Sequence, residues 1–193
     1  MPVRRPTSTT DDQTTTYLLA CNAPRRHIET QPSFDNEDWS RWLDIARLLI
    51  GTGAIIVLVG DRGSGKTQIA VELMRAGLFK KPKPLYQHAM GFFLSIRATY
   101  ADSDTSETQQ LAKYTNTTLL VLDEAHERGG SEWEDRMLRH VIDKRYANMA
   151  DTVIVANKKR DALMSEMGRS VASRIDECGT FIECVGVNWR TPR

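Results

Sequence analysis

Five short runs along the chain read as strands: Ile55–Val59, which is rich in β-branched side chains, Leu85–Met90, Thr118–Leu122, Thr152–Ala156 and Phe181–Val185. Each is short enough, and uniform enough, to predict a strand buried on both faces. Between them the apolar positions change to helical spacing. Trp39, Trp42, Leu43, Ala46, Leu49 and Ile50 form one stripe, opened by Asn36 or Asp35 as a cap and closed by Gly51 and Gly53. Ile69, Leu73 and Met74 form a second, and Phe93, Ile96 and Tyr100 a third, within a helix expected over 92–100. A short helix is expected over 108–114, and another over 132–144 with Trp133, Met137, Val141 and Ile142 facing inward. Two more follow, over 161–167 and 170–178, the latter with Val171, Ala172 and Ile175 as its apolar positions. Strands alternating with helices predict βαβ units and an α/β fold in three layers, with a five-stranded parallel sheet. The first 16 residues break the pattern, with six threonines, two prolines and few apolar groups. They bury too little to offset their ordering entropy, so a disordered tail is expected over 1–22 and a folded domain over 23–193. Tyr17 to Ala20, inside that tail, reads either as a loose strand or as a contact for another molecule.

Composition narrows the class. With 193 residues one domain is the expectation. A formal net charge of +1 argues neither for nor against nucleic acid, so any basic surface must be local. The cysteines, Cys21, Cys178 and Cys184, are odd in number and far apart, with no metal-binding spacing. A reduced, cytoplasmic protein is expected, because no signal peptide, membrane span or internal repeat is visible.

The chemistry begins where the first strand ends. Gly60-Asp61-Arg62-Gly63-Ser64-Gly65-Lys66-Thr67 satisfies every fixed position of a P-loop, with a strand before it and a helix after it. The glycines let backbone N–H groups wrap phosphate oxygens, and the helix N-terminus adds its positive dipole end. Lys66 is placed to reach the β- and γ-phosphates of ATP, the Thr67 hydroxyl to bind Mg²⁺, and Gln68 to complete the loop. The third run ends in Asp123-Glu124. After a P-loop this acid pair reads as the Walker B site, with Asp123 holding Mg²⁺ through water and Glu124 polarising the attacking water of an ATPase. Asn157 ends the fourth strand, where it reads either as a sensor of the γ-phosphate or as a simple strand terminator. Arg25 and Arg26 read either as nucleotide contacts or as solvated charges. Lys80 to Pro84 reads as a charged turn, and Lys158 to Arg160 either as a DNA-facing cluster or a solvated turn.

The order of these features resembles the additional-strand class of P-loop ATPases, which includes AAA+ proteins. Asp123-Glu-Ala-His126 also looks like a DEAH-box helicase, but such helicases need two motor domains, and His126 is then a loop residue. From Ala23 to Arg190 the chain resembles the AAA+ domain of DnaC-type helicase loaders and their relatives, the IstB transposition ATPases. The resemblance rests on Ala23-Pro-Arg-Arg-His27, the region 92–120, Val141-Ile-Asp-Lys-Arg-Tyr146, Asn157 at sensor 1, Gly168-Arg-Ser-Val-Ala-Ser-Arg174 at box VII, and the closing Asn188-Trp189. It implies an ATPase of DNA replication that works as a homo-oligomer, with Arg174 as a finger reaching the nucleotide of a neighbouring copy. It also implies single-stranded DNA as a ligand, with Tyr100, Arg97 and Lys113 as candidates and Phe93 as core. A replicative helicase is the implied partner, although only the residues before Ala23 are left to dock on it. The lid domain is expected to be absent or minimal. An IstB-like helper of a transposase and a non-hydrolysing ATP-dependent adaptor stay open as alternatives.

Overall fold

A computed structural model describes residues 9–30, 36–77, 83–101, 104–186 and 188. Expectations that fall on residues 1–8, Asp35, Lys80 to Pro82, Asp102 and Trp189–Arg190 lie outside the described residues. The chain runs α1 (Thr9–Ala20), α2 (Arg25–Glu29), α3 (Glu37–Leu49), β1 (Ile55–Val59), α4 (Lys66–Ala76), β2 (Leu85–His88), α5 (Ala89–Ala98), α6 (Glu107–Thr115), β3 (Leu119–Asp123), α7 (Glu132–Ala147), β4 (Asp151–Ala156), α8 (Arg160–Cys178) and β5 (Gly179–Glu183). The strands form one all-parallel sheet in the order β2-β3-β4-β1-β5.

The side chains of β1 explain the three layers. All five are buried, as a central strand covered on both faces requires. Ile56 and Leu58 join one core, with Trp39, Leu43, Ile69 and Leu73 from α3 and α4. Ile55, Val57 and Val59 join the other, with Phe92, Ile96, Val141, Ile142, Leu163 and Ile175 from α5, α7 and α8. At roughly 1.5–3 kcal/mol for each fully buried aliphatic side chain, this one strand contributes on the order of 10 kcal/mol of gross burial. The connection from β1 to β2 crosses the sheet leftward through α4, and those reaching β3, β4 and β5 run rightward over the opposite face. Placing each direction of travel on its own face keeps every crossover right-handed.

Helix ends follow local chemistry. Asn36 Oδ1 accepts the Trp39 N–H at 2.8 Å and opens α3. Ser106 with Gln109, and Ser131 with Glu134, form reciprocal capping boxes at α6 and α7. The two helices expected over 161–167 and 170–178 are one element, α8, broken at Gly168, whose φ of 77° is left-handed.

Some boundaries differ from expectation. β2 stops at His88, because His88 pairs with Asp123, the last residue of β3, and nothing continues the ladder; α5 therefore starts at Ala89. β5 covers Gly179–Glu183 because its register follows the five residues of β1. The expected disordered tail over 1–22 is a helix from Thr9 to Ala20. The second half of that segment supplies what the threonines lack. Leu18 and Cys21 are fully buried against the α3–α4 core, Lys83 sits over the Tyr17 ring, and the Cys21 carbonyl accepts the Tyr86 N–H at 2.9 Å. Tyr17 to Ala20 is thus helical and not a strand, with Leu18 buried and Leu19 and Ala20 exposed.

Candidate functional site: the ends of β1, β3 and β4

Three loops meet at the carboxyl end of the sheet, beside the point where the strand order reverses. The loop after β1 runs from Gly60 to Gly65 and enters α4 at Lys66. Gly60, Gly63 and Gly65 all have positive φ. Two of them are fixed by space as well: a Cβ on Gly60 would stand 2.1 Å from the Cys184 carbonyl oxygen, and one on Gly63 would stand 2.0 Å from Asn188 Oδ1. The chain following β5 is therefore packed against the back of this loop. Lys66 Nζ donates to the carbonyls of Gly60 (2.8 Å) and Asp61 (2.6 Å) and to Ser64 Oγ (3.2 Å), so the loop closes around its own ammonium group.

The acid pair stands opposite. Asp123, the last residue of β3, is 2% exposed, and three donors orient its carboxylate. The Thr67 hydroxyl donates to Oδ2 at 2.9 Å, the Tyr86 hydroxyl donates to the same oxygen, and the Glu124 N–H donates to Oδ1 at 2.7 Å. Burial, with the charges of Asp123 and Glu124, pushes the Tyr86 phenol far above its ordinary range, so it remains a donor. Glu124 has a left-handed φ of 54°, unusual for a glutamate, which turns the chain sharply as it leaves β3. Burial first, then Glu127 and Asp123, raise its carboxyl above the ordinary carboxylate range. The Thr67 hydroxyl and the Asp123 carboxylate thus meet, though 56 residues apart in sequence, with the Glu124 backbone against the same carboxylate.

Asn157 follows β4, which lies between β1 and β3 in the sheet, and so sits between the other two loops. Its N–H donates to His126 Nδ1 at 3.3 Å. The adjacent Lys158 carbonyl accepts the Gly60 N–H at 3.2 Å, joining this loop to the P-loop. Two residues of the expected site stand apart. The Gln68 side chain turns away from the loop, donating to the His27 carbonyl at 2.9 Å and pairing with His27 Nδ1 at 2.9 Å, so it anchors α2 to α4. Arg174 lies near the end of α8, which leads into Gly179, and Gly179 pairs with Ile55, the first residue of β1. It thus lies in the half of α8 nearer the amino ends of the strands, five residues before β5 begins. There it pairs with Asp143 at 3.3 Å and stacks over the Tyr146 ring at 4.6 Å.

The remaining expectations sort by their contacts. Arg25 pairs with Glu29 in the open, as a solvated charge does. Lys158 pairs with Glu166, and Arg160 stacks over Phe181 at 4.5 Å, so that cluster is held within the domain. Phe93 is buried. Arg97 and Tyr100 meet on Trp133: the guanidinium lies 4.7 Å from its ring, and its Nε1–H donates to the Tyr100 hydroxyl at 3.0 Å. Lys113, on α6, donates to Gln110 at 2.7 Å. Tyr86, Glu127 and the structural part played by His126 were not foreseen. The register of β2 against β3, which sets Tyr86 opposite Val121 two residues short of Asp123, is the signal that points to Tyr86. Among the described residues no helix is long and apolar enough to cross a membrane.

Known proteins share this arrangement. The replicative helicase loader DnaC of Escherichia coli K12 is 25% identical over 125 residues, which are 65% of this chain and 51% of that protein. The chain therefore spans about half the length of the curated relatives it matches. A crystal structure of the DnaC helicase loader superposes with a TM-score of 0.68 at 24% identity, covering 84% of this chain and 96% of that one. AMPPCP-bound DnaA from Aquifex aeolicus superposes with a TM-score of 0.65 at 17% identity, covering 80% and 48%. These likenesses establish the AAA+ fold. Residues 41–171, which hold the P-loop, the acid pair, Asn157 and most of the helices packed on them, match the sequence profile of one nucleotide-binding family, and the chain belongs to it: the IstB-like ATP binding proteins.

Proposed function

We propose that this chain is an ATPase of DNA replication, acting as a DnaC-like helicase loader that binds single-stranded DNA. The observation that carries the ATPase part is the convergence of the Thr67 hydroxyl, the oriented Asp123 carboxylate and Glu124 beside the P-loop. Hydroxyl and carboxylate oxygens are the donors Mg²⁺ prefers, alongside the substrate's phosphates and water, so Thr67 and Asp123 fit that ion. Bound Mg²⁺ would neutralise charge on the β- and γ-phosphates. Lys66 would leave its loop carbonyls for phosphate oxygens, and the Gly63–Lys66 backbone N–H groups would hold the β-phosphate. Glu124 would orient and polarise the attacking water, and Asn157 would hydrogen-bond that water or the γ-phosphate.

Arg174 lies in the half of α8 nearer the amino ends of the strands and pairs there with Asp143, whereas the P-loop is at their carboxyl ends, and this supports a role on the nucleotide of a neighbouring copy in a homo-oligomer. To do so it would exchange Asp143 for phosphate. Single-stranded DNA would lie on the Arg97, Tyr100 and Trp133 cluster, where exposed rings and a guanidinium supply the stacking and charge such a ligand needs. The loader reading, with a replicative helicase as partner, comes from the likeness to DnaC. The family profile supports a second reading, a helper ATPase for a transposase.

ATP turnover by the wild-type chain, Glu124→Gln and Arg174→Ala, with and without single-stranded DNA, tests the proposal. Wild type should hydrolyse ATP, whereas both variants should bind it and not turn it over. An arginine finger contributes about 10³–10⁵ in rate in GTPases, so the Arg174 loss should be of that order. Hydrolysis that survives Glu124→Gln refutes the assigned chemistry, and loss of ATP binding in Arg174→Ala refutes the trans role. Co-purification with a replicative helicase or with a transposase separates the two partner readings.

A further inference from the structure

Arg62 at the tip of the P-loop is joined to Asn157 through two side chains, Glu127 and His126, the first of which also hydrogen-bonds Glu124. Its guanidinium donates to Glu127 Oε1 at 3.2 Å. The same carboxylate oxygen stands 3.8 Å from His126 Nε2. His126 is largely buried and accepts the Asn157 N–H on Nδ1. A nitrogen that accepts carries no proton, so the ring hydrogen sits on Nε2 and faces Glu127. The loops after β1, β3 and β4 are thereby linked in series by one carboxylate and one imidazole.

We infer that Glu127 and His126 are positioning residues that transmit occupancy of the P-loop to the Asn157 loop. The two ends of the series differ in strength. Arg62 and Glu127 form an exposed ion pair, 70% and 46% accessible, and such pairs are weak. A triphosphate in the P-loop offers Arg62 a stronger anion close by. Once Arg62 turns to phosphate, Glu127 is left between the His126 Nε2–H and the Glu124 carboxyl, with which it also shares a hydrogen bond. The carboxylate then pulls on a ring whose other nitrogen holds the Asn157 backbone. The inner contact, by contrast, is shielded from water and has the rigidity to pass a displacement on. Burial lowers the pKa of the imidazole, opposed by Glu127 and Glu166 and aided by Lys158 and Arg62, so the ring is neutral at neutral pH and the Nε2–H tautomer persists.

This inference rests on the nucleotide reading of the P-loop, and the test separates the two. Imidazole ¹⁵N spectra of the full chain are recorded with and without Mg²⁺ and AMPPNP, and His126 is assigned by the loss of its signal in His126→Gln. Nucleotide affinity is measured in parallel by calorimetry. In the wild type His126 should show the Nε2–H tautomer, and nucleotide should shift its signals while those of His140, on the far part of α7, stay put. Glu127→Gln should bind AMPPNP within about fivefold of wild type, the most an exposed pair contributes, with the nucleotide-induced His126 shift lost. Arg62→Ala should lose that shift too, which guards against an effect confined to the neighbour of His126. Binding without a His126 shift in the wild type, or a shift that persists in either variant, overturns the relay and leaves the nucleotide site intact. Failure of the wild type to bind AMPPNP overturns the nucleotide reading, and the relay with it.

Discussion

Replacing Arg145 with methionine should destabilise the domain by about 3–5 kcal/mol, the range for removing one partner from a buried charged network. Arg145 is fully buried near the end of α7, under the amino edge of the sheet. Its guanidinium donates through Nε to Thr152 Oγ1 at 2.9 Å and through Nη1 to the carbonyls of Tyr114 (2.7 Å) and Thr117 (2.9 Å). Nη2 donates to the carbonyl of Asp151. One side chain therefore ties the end of α6, the approach to β3 and the start of β4. Methionine keeps the aliphatic stem and removes every donor. Three carbonyls lose this partner, at about 1–3 kcal/mol for each buried group left unsatisfied. Against that, the wild type bears a cost that methionine avoids. Burial pushes the guanidinium down to about 10, so it is charged at neutral pH but carries a desolvation penalty. The first effect is larger, because the three carbonyls come from separate segments and water cannot reach them without opening the edge of the sheet.

Urea unfolding followed by circular dichroism measures the difference, with equal m-values as the check that both chains unfold from equally compact states. In a chain of this size each kcal/mol moves the melting temperature by about 2–4 °C, so a fall of roughly 6–20 °C is expected. Arg145→Lys should lie between the two, since an ammonium keeps the charge but cannot span all four acceptors. A methionine variant within about 1 kcal/mol of wild type would show that relaxation or water replaces the donors, and the reasoning fails.

Tyr86→Phe should cost about 1.5–3 kcal/mol in the same assay, because it removes a buried donor from a charged carboxylate; no change would mean that Asp123 finds another donor. Alanine at Gly60 should be worse than alanine at Gly63, since the first collides with the Cys184 backbone carbonyl and the second only with the Asn188 side chain, which can swing aside. At Gly130, with φ of 67° and open space, alanine should cost only the backbone strain of about 1 kcal/mol; comparing the three melting temperatures checks the order. His126 has its pKa lowered, chiefly by burial. Below its ordinary 6.5 the unfolded chain therefore takes up the proton first, and stability falls with pH through that window while staying flat above it. His126→Gln should remove this part of the pH dependence of the urea midpoint.

Periodicity located the elements here because local pattern and burial agree in them. Ile55–Val59 can only be a doubly covered strand, and the Gly168 break in α8 is visible as a glycine between two helical stripes. The helix at Thr9–Ala20 was hidden because its threonine-rich first half carries no stripe, and Leu18 and Cys21 are too few to register as one. They are buried against a distant partner, the α3–α4 core, which no local window contains. The candidate site divides the same way. Gly60–Thr67 and Asp123–Glu124 are legible because each is contiguous. Tyr86, and the parts played by Glu127 and His126, depend on strand register and on loops folding together. The Gln68 side chain shows a related limit: it follows Thr67 in sequence, but one step of about 100° around a helix turns it toward α2.

The placement of Arg145 and Arg174 toward the same edge of the sheet separates stability from phosphate chemistry. At the carboxyl edge the P-loop, Asp123 and Glu124 carry strained or costly features: left-handed φ at Glu124, a buried carboxylate, and a lysine held by backbone carbonyls. The amino edge holds the compensating network, where Arg145 and the Asp151 carboxylate, which accepts the Gly51 and Gly53 N–H groups at 2.7 and 2.9 Å, fix where β3, β4 and β1 begin. Short parallel strands are stiff along their length, so fixing their starts also fixes where their ends deliver Gly60, Asp123 and Asn157. A lesion at Arg145 should thus lower the melting temperature while leaving the nucleotide affinity of the folded fraction nearly unchanged. A lesion at Asp123 should do the reverse, weakening Mg²⁺-dependent nucleotide binding more than stability. Arg174 stands in the half of α8 nearer that edge, so Arg174→Ala is expected to leave nucleotide binding by its own P-loop unchanged, as the proposed role on a neighbouring copy requires.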